Sequence, residues 1–357
     1  PVTTTTAIPA ATPSLSTKTS ARHRNSPYNL SNSTFKSNHF ANTAVNLDQD
    51  GNPLTYRSAI NGPYASFWHT AEEEEIERLL DSNTIKFIPH SAKPKSRLSS
   101  YYNPQIKLKF KDGKPVYRVR GTYGGDRSDF VGETHAWTAS LPTIKILLNA
   151  VVSEDANWMT IDLKDFYLNT EMERSEYMKL TRKQVPQSII DKYQLEHLFV
   201  NNSIMVEIMK GIYGLPQAGK LAQDRLIKHL EANDYYLVKH TQCLFRHKTR
   251  DIAFTLVVDD FGIKYKTSSD SQHLIDTLQK LYVITIDPKG SKYVGLTIDY
   301  DKAGRKLEIS MPGYIAKALK RFNIPIPTKM TVSPILYTPP SYGSKDTQQS
   351  LEILLHH

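Results

Sequence analysis

Two adjacent carboxylates, Asp259 and Asp260, interrupt an apolar stretch of β-branched and aromatic residues over 253–263. Such a stretch is typical of a buried strand. Two neighbouring carboxylates are costly at such a place unless a cation neutralises them. The pair alone is also compatible with a hairpin turn, because Asp is a common turn residue. The chain is therefore expected to form two strands here, with either a turn or a cation site between them.

A third carboxylate, Asp162, ends a strand predicted over 157–162. If this strand lies beside the two strands that flank Asp259 and Asp260, three carboxylates converge at one end of a sheet. Mg²⁺ prefers oxygen ligands and leaves room for substrate phosphates, and two such ions can support an in-line phosphoryl transfer. A two-metal site is therefore the functional hypothesis, and it depends on the strands being neighbours.

The overall composition suits a polyanionic partner without proving one. The 357 residues include 45 Lys and Arg against 36 Asp and Glu, a net charge of +9. The single cysteine, Cys243, excludes a disulfide framework and fits a reducing compartment. No apolar run reaches the roughly 18–20 residues of a membrane span, and no signal peptide is recognisable at the start. We expect an intracellular protein that is neither secreted nor bound to a membrane.

A basic β-hairpin is predicted across the turn at Asp112 and Gly113, with strands over 106–110 and 116–120. Basic and apolar residues alternate in both strands, so the cations should share one face. Such a hairpin could hold phosphates, or it could be an ordinary edge hairpin whose cations prevent aggregation. The spacing alone leaves both interpretations open.

The remaining pattern mixes helices and strands without strict βαβ alternation, which favours an α+β fold. Helices are predicted over 65–81, 141–152, 218–231 and 274–281, followed by a last helix with an apolar stripe from Tyr314 to Phe322, and strands over 293–298 and 306–310. The acidic run Glu72–Glu75 is interpreted as a solvated helix face. Residues 1–45 are rich in Thr, Ser, Pro, Ala and Asn and are expected to be a disordered linker, and 328–357 an irregular tail.

Five short segments follow one another along the chain: VYRVR at 116–120, TIDLKDFYLN at 160–169, GIYGLPQAG at 211–219, LVVDD at 256–260 and KYVGL at 292–296. In order and spacing they resemble motifs of copia-type LTR retrotransposon reverse transcriptases: the basic fingers strand, the three catalytic motifs and the primer-gripping hairpin. Each motif is weak alone, but five in order form a specific signal. They extend the resemblance over roughly three quarters of the chain.

The resemblance implies a right-hand polymerase with fingers over 46–140, a palm over 141–300 that contains fingers insertions, and a partial thumb over 301–327. Its function would be RNA-directed DNA synthesis, in which a primer 3′-hydroxyl attacks the α-phosphorus of a dNTP on an RNA/DNA primer-template. The compartment would be a cytoplasmic virus-like particle or the nucleus. RNase H and integrase regions of a longer polyprotein are expected to lie outside this chain.

The family motifs also imply roles for single residues. The implied ligands of two Mg²⁺ ions, which Mn²⁺ could replace, are Asp162, Asp259 and Asp260. The implied dNTP contacts are Gln217, Arg118, Arg120 and Tyr167, the last as a steric gate against a 2′-hydroxyl. The implied primer grip is Tyr293, Val294 and Gly295. The dNTP contacts each have a plainer structural alternative. Tyr167 could be a core aromatic residue, Gln217 could begin a helix after Pro216, and Arg118 and Arg120 could be solvated cations on a strand. Asp165 has no assigned role.

One departure from the family pattern motivates an alternative function. The family usually carries an aromatic residue two positions before the first Asp of the third motif, and this chain has Val257 there. Together with the short thumb, this suggests a truncated, catalytically decayed fragment that only binds nucleic acid. An RNA-directed RNA polymerase is a weaker alternative, against which the gate at Tyr167 argues.

Overall fold

The computed structural model of the protein describes residues 48, 54–322, 324 and 325. The chain divides between Ala44 and Val45, and all described residues belong to the second part. The predicted linker at 1–45 and the predicted irregular tail at 328–357 lie outside the described residues. No helix within the described part of the chain is long and apolar enough to cross a membrane.

Helices and strands are both abundant in this part, which confirms the α+β prediction. The helices are α1 Tyr56–Asn61, α2 Ala65–Asp81, α3 Leu141–Ser153, α4 Gln187–Lys192, α5 Ala218–Glu231, α6 Ser268–Gln279 and α7 Tyr314–Arg321. The first strands are β1 Ile85–Ile88, β2 Ser100–Lys111, β3 Lys114–Tyr123, β4 Asn157–Leu163, β5 Glu171–Thr181, β6 Ser203–Lys210 and β7 Tyr235–Leu237. The later strands are β8 Leu244–His247, β9 Ile252–Val257, β10 Asp260–Tyr265, β11 Ile284–Asp287, β12 Lys292–Tyr293, β13 Leu296–Asp301 and β14 Lys306–Ser310.

The predicted helices are confirmed, and the largest boundary error is at the start of α6. Helices α2 and α5 match the prediction to the residue, and α3 ends one residue later. Helix α6 begins at Ser268 rather than at Leu274, because Thr267 forms a capping box with Asp270. The Thr267 side chain accepts a hydrogen bond from the Asp270 N–H at 3.3 Å, and the Asp270 carboxylate accepts one from the Thr267 N–H at 3.1 Å.

A six-stranded antiparallel sheet in the order β11-β4-β10-β9-β8-β7 carries the three carboxylates. Apolar residues of β4, β9 and β10 pack with α3, α5 and α6 in one continuous core. Asp260 lies directly opposite Asp162 in the pairing of β10 with β4. The strands that the carboxylate hypothesis required to be neighbours are therefore adjacent.

A second, five-stranded sheet in the order β1-β6-β5-β2-β3 holds the basic hairpin. Residues 102–111 of β2 pair with the whole of β3 around the turn at Asp112 and Gly113, which confirms the predicted hairpin and extends it at both ends. Helix α2 packs along β3. Strand β3 is an edge strand of this sheet.

The segment predicted as one strand over 293–298 is divided into β12 and β13. Val294 has φ 46° and Gly295 has φ 81°, and this left-handed backbone makes a tight turn in which Tyr293 pairs with Leu296. The prediction of a continuous strand over 293–298 was wrong, whereas the hairpin that the family resemblance implied at 292–296 is present as the pairing of β12 with β13. The pairing of β13 with β14 is confirmed.

The predicted last helix is confirmed as α7, but the described residues do not bury its apolar stripe. Tyr314 and Ile315 are both exposed. The helix lies within 301–327, the segment predicted to be a partial thumb.

Candidate active site

The carboxylates meet where β4 ends and the turn between β9 and β10 begins. Asp162 is paired with Asp260 across the strands, and the Leu163 N–H donates a hydrogen bond to the Asp259 carbonyl at 3.0 Å. Val258, in this turn, has φ 60°, which is costly for a β-branched residue. The turn is therefore a strained backbone feature held in place by the flanking strands.

Burial raises the pKa of all three carboxylates, and repulsion between them raises the pKa of Asp259 and of Asp260 further. Burial, followed by the charges of Asp259 and Asp162, raises the pKa of Asp260 to about 6. Burial also raises the pKa of Asp259 and of Asp162, while the positive charge of Arg120 lowers both. None of the three takes part in an ion pair among the described residues. A cation would relieve this repulsion.

The donor set fits a divalent cation that substrate helps to hold. Among the described residues, no three His, Cys, Asp or Glu side chains are close enough to hold one metal ion together. Mg²⁺ in phosphoryl-transfer sites is commonly held by one or two carboxylates together with water and substrate phosphates. Asp162 and Asp259 offer two such carboxylates beside one cavity. Binding of two ions by all three carboxylates stays a prediction.

A cavity of about 530 Å³ opens beside the carboxylates. Its walls come from α2, β3, the end of β4 with the residues after it, and the turn before β10. It is lined by Ala71, Glu74, Glu75, Arg78, Tyr117, Arg118, Val119, Arg120, Asp162, Leu163, Lys164, Asp165, Tyr213 and Asp259. Four of the predicted site residues therefore share one cavity: two carboxylates and two arginines.

The basic face of the hairpin reaches this cavity through Arg118 and Arg120. The cations share one face, because Lys107 lies directly opposite Arg118. Residues two apart in a strand point to the same side, so Lys109 and Arg120 lie on this face as well. Burial and the charges of Arg118, Lys107 and Arg120 lower the pKa of Lys109. The Arg120 guanidinium lies over the ring of Tyr213, 4.7 Å from its centroid. This contact fixes one cation beside the carboxylates, whereas Arg118 remains exposed.

Helix α2 contributes two features that the sequence interpretation missed. Arg78 forms ion pairs with Asp165, just after β4, and with Glu75 at 2.7 Å. Glu75 is buried and accepts a hydrogen bond from the Gly121 N–H at 2.8 Å, and Glu72 is buried against the Tyr56 hydroxyl. The interpretation of Glu72–Glu75 as a solvated face was therefore wrong for these two residues.

A signal for this burial was present in the sequence. Glu72 and Glu75 lie on the same helix face as Trp68, Ile76 and Leu79, at spacings of three and four residues, and all five are buried. The role of Asp165, left open from the sequence, is at least that of a partner for an arginine in the cavity wall.

Neither Tyr167 nor Gln217 lines the cavity, but Tyr167 contacts the wall of the cavity through Tyr213. The Tyr167 ring is half-buried, packs edge-on against Tyr213 with centroids 5.1 Å apart, and has its pKa raised by burial and by the charge of Asp259. Gln217 stands at the N-cap of α5, as the plainer alternative expected, but its side chain makes no capping bond. Its Nε2 donates to Glu176 at 3.0 Å, while its buried Oε1 has no partner among the described residues.

Glu176 is the centre of a buried ionic network beneath Gln217. Its carboxylate, 1% exposed, contacts the guanidinium groups of Arg97 at 2.7 Å and Arg174 at 2.9 Å. Both arginines also contact Asp129. No local sequence pattern marks this network, because its members are distant in the chain.

Tyr293 is a core residue in the turn predicted to grip the primer. Its hydroxyl donates to the Thr255 carbonyl at 2.9 Å, and its ring packs edge-on against Trp158. Val294 and Gly295 form the adjoining turn, where Gly295 is exposed and Val294 half-buried. Only the turn could reach a nucleic acid directly, and the grip stays a prediction.

Comparison with known proteins identifies the class. Residues 104–336 match the family model described as reverse transcriptase (RNA-dependent DNA polymerase). This match covers more than half of the chain, so the protein belongs to that family. The motif resemblance to copia-type retrotransposon reverse transcriptases is thereby confirmed.

A curated relative supports the same assignment. Over 292 residues the chain is 23% identical to the retrovirus-related Pol polyprotein from transposon TNT 1-94 of Nicotiana tabacum. The alignment covers 78% of this chain and 21% of the relative, so the chain spans about a fifth of that polyprotein's length.

Proposed function

We propose that this protein is the polymerase core of a retrotransposon reverse transcriptase. It would extend a primer 3′-hydroxyl with dNTPs on an RNA template and release pyrophosphate. The observation that carries the proposal is the direct pairing of Asp162 with Asp260, which brings Asp259 to a cavity shared with Arg118 and Arg120. Carboxylates and arginines around one cavity suit a metal-bound triphosphate.

The right-hand architecture is part of this proposal. The six-stranded sheet that bears the carboxylates would be the palm, and the five-stranded sheet with α2 would belong to the fingers. Helix α7 and strand β14 before it would begin the thumb. The proposed boundaries are the predicted ones: 46–140 for fingers, 141–300 for the palm with its insertions, and 301–327 for the partial thumb.

The carboxylates would hold the divalent cations of the reaction. Mg²⁺ bound by Asp162, Asp259 and Asp260 would neutralise phosphate charge and favour the deprotonated primer 3′-hydroxyl. Mn²⁺ prefers the same oxygen ligands and could replace it.

The other residues would bind and select the nucleotide. Arg118 and Arg120 would bind the triphosphate, because a planar guanidinium contacts phosphate oxygens in pairs. Tyr167, half-buried beside Asp259, would occupy the space of a 2′-hydroxyl and so exclude ribonucleotides. Gln217 is held by Glu176, so any contact with the nucleotide would require its buried Oε1 to become accessible.

Primer extension on poly(rA)/oligo(dT) tests this function. We expect dTTP incorporation that requires Mg²⁺ and stops with EDTA. Tyr167→Ala should raise the use of UTP relative to dTTP, whereas a core aromatic role would lower both equally. Salt-dependent binding of the primer-template with no extension would refute the polymerase and favour the alternative of a fragment that only binds nucleic acid.

A further inference from the structure

Trp137 is the exposed member of the three tryptophans in this chain. Its side chain is 48% exposed, whereas Trp68 and Trp158 are 3% and 4% exposed. Tryptophan is usually largely buried, since its ring carries a large apolar surface. A half-exposed indole therefore needs a reason.

The backbone of Trp137 is fixed on both sides. Its N–H donates to the Gln223 Oε1 at 2.8 Å, and its carbonyl accepts from the Gln223 Nε2 at 2.5 Å. Gln223 is buried in α5. Two residues after Trp137, the Ala139 N–H donates to the Leu256 carbonyl of β9 at 2.9 Å. The ring thus projects into solvent from a rigid support, and ordering it on a ligand costs little.

The same segment lies beside the candidate active site. A β-carbon built on Gly219 would lie 3.6 Å from the Ala136 Cβ and 4.0 Å from the Tyr167 hydroxyl oxygen. Gly219 therefore lies between Ala136 and Tyr167, the predicted steric gate. Ala136 directly precedes Trp137, so the exposed ring is next in the chain to a residue beside this gate. Leu256, which anchors the segment, is three residues before Asp259.

A second exposed ring completes the surface. His135 is exposed and lies edge-on to Trp137, with centroids 4.3 Å apart and an interplanar angle of 83°. Two exposed rings at a right angle provide a flat face and an edge. Nucleobases suit this shape, because every base has a π-face that can stack on an aromatic side chain whatever the sequence.

We propose that Trp137, supported by His135, stacks on an unpaired base of the template strand next to the polymerase site. The inference rests on the proposed function for its substrate, a primer-template with a single-stranded overhang. It adds a positioning residue that contacts the template outside the base-paired region. Stacking of this kind holds the strand without reading its sequence.

Tryptophan emission tests the proposal directly, because Trp137 is the solvent-exposed fluorophore. The protein is titrated with a primer-template bearing a template overhang and with the blunt duplex of the same paired sequence. Anisotropy of a dye at the far duplex end reports binding, and tryptophan emission reports stacking. We expect emission to be quenched by the overhang substrate and not by the blunt duplex. The Trp137→Phe variant should bind the overhang substrate within about twofold of wild type but show no quenching.

Affinity provides an independent readout. Trp137→Ala should weaken binding of the overhang substrate by about five- to fiftyfold and leave the blunt duplex unchanged. Tyr236→Ala, which removes an exposed aromatic side chain from β7 at the edge of the six-stranded sheet, should change neither affinity.

The outcomes separate this proposal from the proposed function. Binding of the overhang substrate without quenching, or with unchanged affinity in Trp137→Ala, overturns the stacking role and leaves the polymerase intact. Quenching that increases with protein concentration alone overturns it in favour of a protein contact. Absence of binding to either substrate contradicts both proposals.

Discussion

Replacing Glu176 with alanine should destabilise the fold strongly, because this carboxylate joins three partners in the interior. It contacts Arg97 at 2.7 Å, Arg174 at 2.9 Å and the Gln217 amide at 3.0 Å. Breaking a buried ion pair by removing one partner typically costs about 3–5 kcal/mol. Glu176 is also the only partner that the described residues offer to the Gln217 amide, and losing this partner adds about 1–3 kcal/mol.

The two costs should not add in full. Both arginines keep a contact with Asp129, at 3.2 Å from Arg97 and 2.9 Å from Arg174. We therefore expect Glu176→Ala to lower the free energy of unfolding by about 3–5 kcal/mol in total. Glu176→Gln retains an oxygen that can accept hydrogen bonds and should cost less.

Urea denaturation followed by circular dichroism at 222 nm measures these differences. The matched control is Glu173→Ala, an exposed glutamate on the same strand β5, which should change stability by less than about 0.5 kcal/mol. If Glu176→Ala lies within about 1 kcal/mol of wild type, or matches Glu173→Ala, the network does not stabilise the fold as argued.

Three further predictions concern pH, packing and nucleotide binding. Burial raises the pKa of Glu72 to about 7 from 4.5, so its stabilising contribution is complete below pH 4.5 and is lost as the pH rises through 7. The free energy of unfolding in urea should therefore fall between pH 5 and pH 8, and this fall should be smaller in Glu72→Gln by up to about 3 kcal/mol. Gly262→Ala should lower stability by about 1–3 kcal/mol in thermal melts, since the added Cβ would lie 2.6 Å from the Tyr293 ring. In the same assay the control Gly219→Ala, whose added Cβ has its nearest contact at 3.6 Å, should be neutral or stabilising. Arg118→Ala should raise the KM for dTTP by about tenfold or more with a smaller effect on kcat, and an unchanged KM would contradict its role in triphosphate binding.

Local patterns sufficed for the amphipathic helices and the basic hairpin. Helix α5 was predictable because Ala222, Leu226 and Leu230 recur at helical spacing and are all fully buried. The hairpin of β2 and β3 was predictable from the alternation of basic and apolar residues around Asp112 and Gly113. The convergence of the three carboxylates could be predicted only if β4 pairs with β10, and the sequence does not determine that pairing.

Features that depend on distant contacts could not be read from the sequence. Strand β5 was missed because it is rich in charged residues, and Glu176 is buried there only because Arg97 and Arg174 neutralise it. The pairing of Arg78 with Asp165 joins residues far apart in the chain. The exposure of Trp137 likewise depends on Gln223 in α5, and no local rule predicts an exposed indole.

The most direct test of the polymerase is the single-turnover rate of adding one dTTP to oligo(dT) on poly(rA) with Mg²⁺. Asp259→Asn is compared with wild type and with Asp299→Asn, an exposed aspartate on β13 that is outside the cavity. The proposed site predicts a loss of at least about a hundred- to a thousandfold in Asp259→Asn and an unchanged rate in Asp299→Asn. An Asp259→Asn rate within about threefold of wild type would contradict a catalytic role for the carboxylate pair.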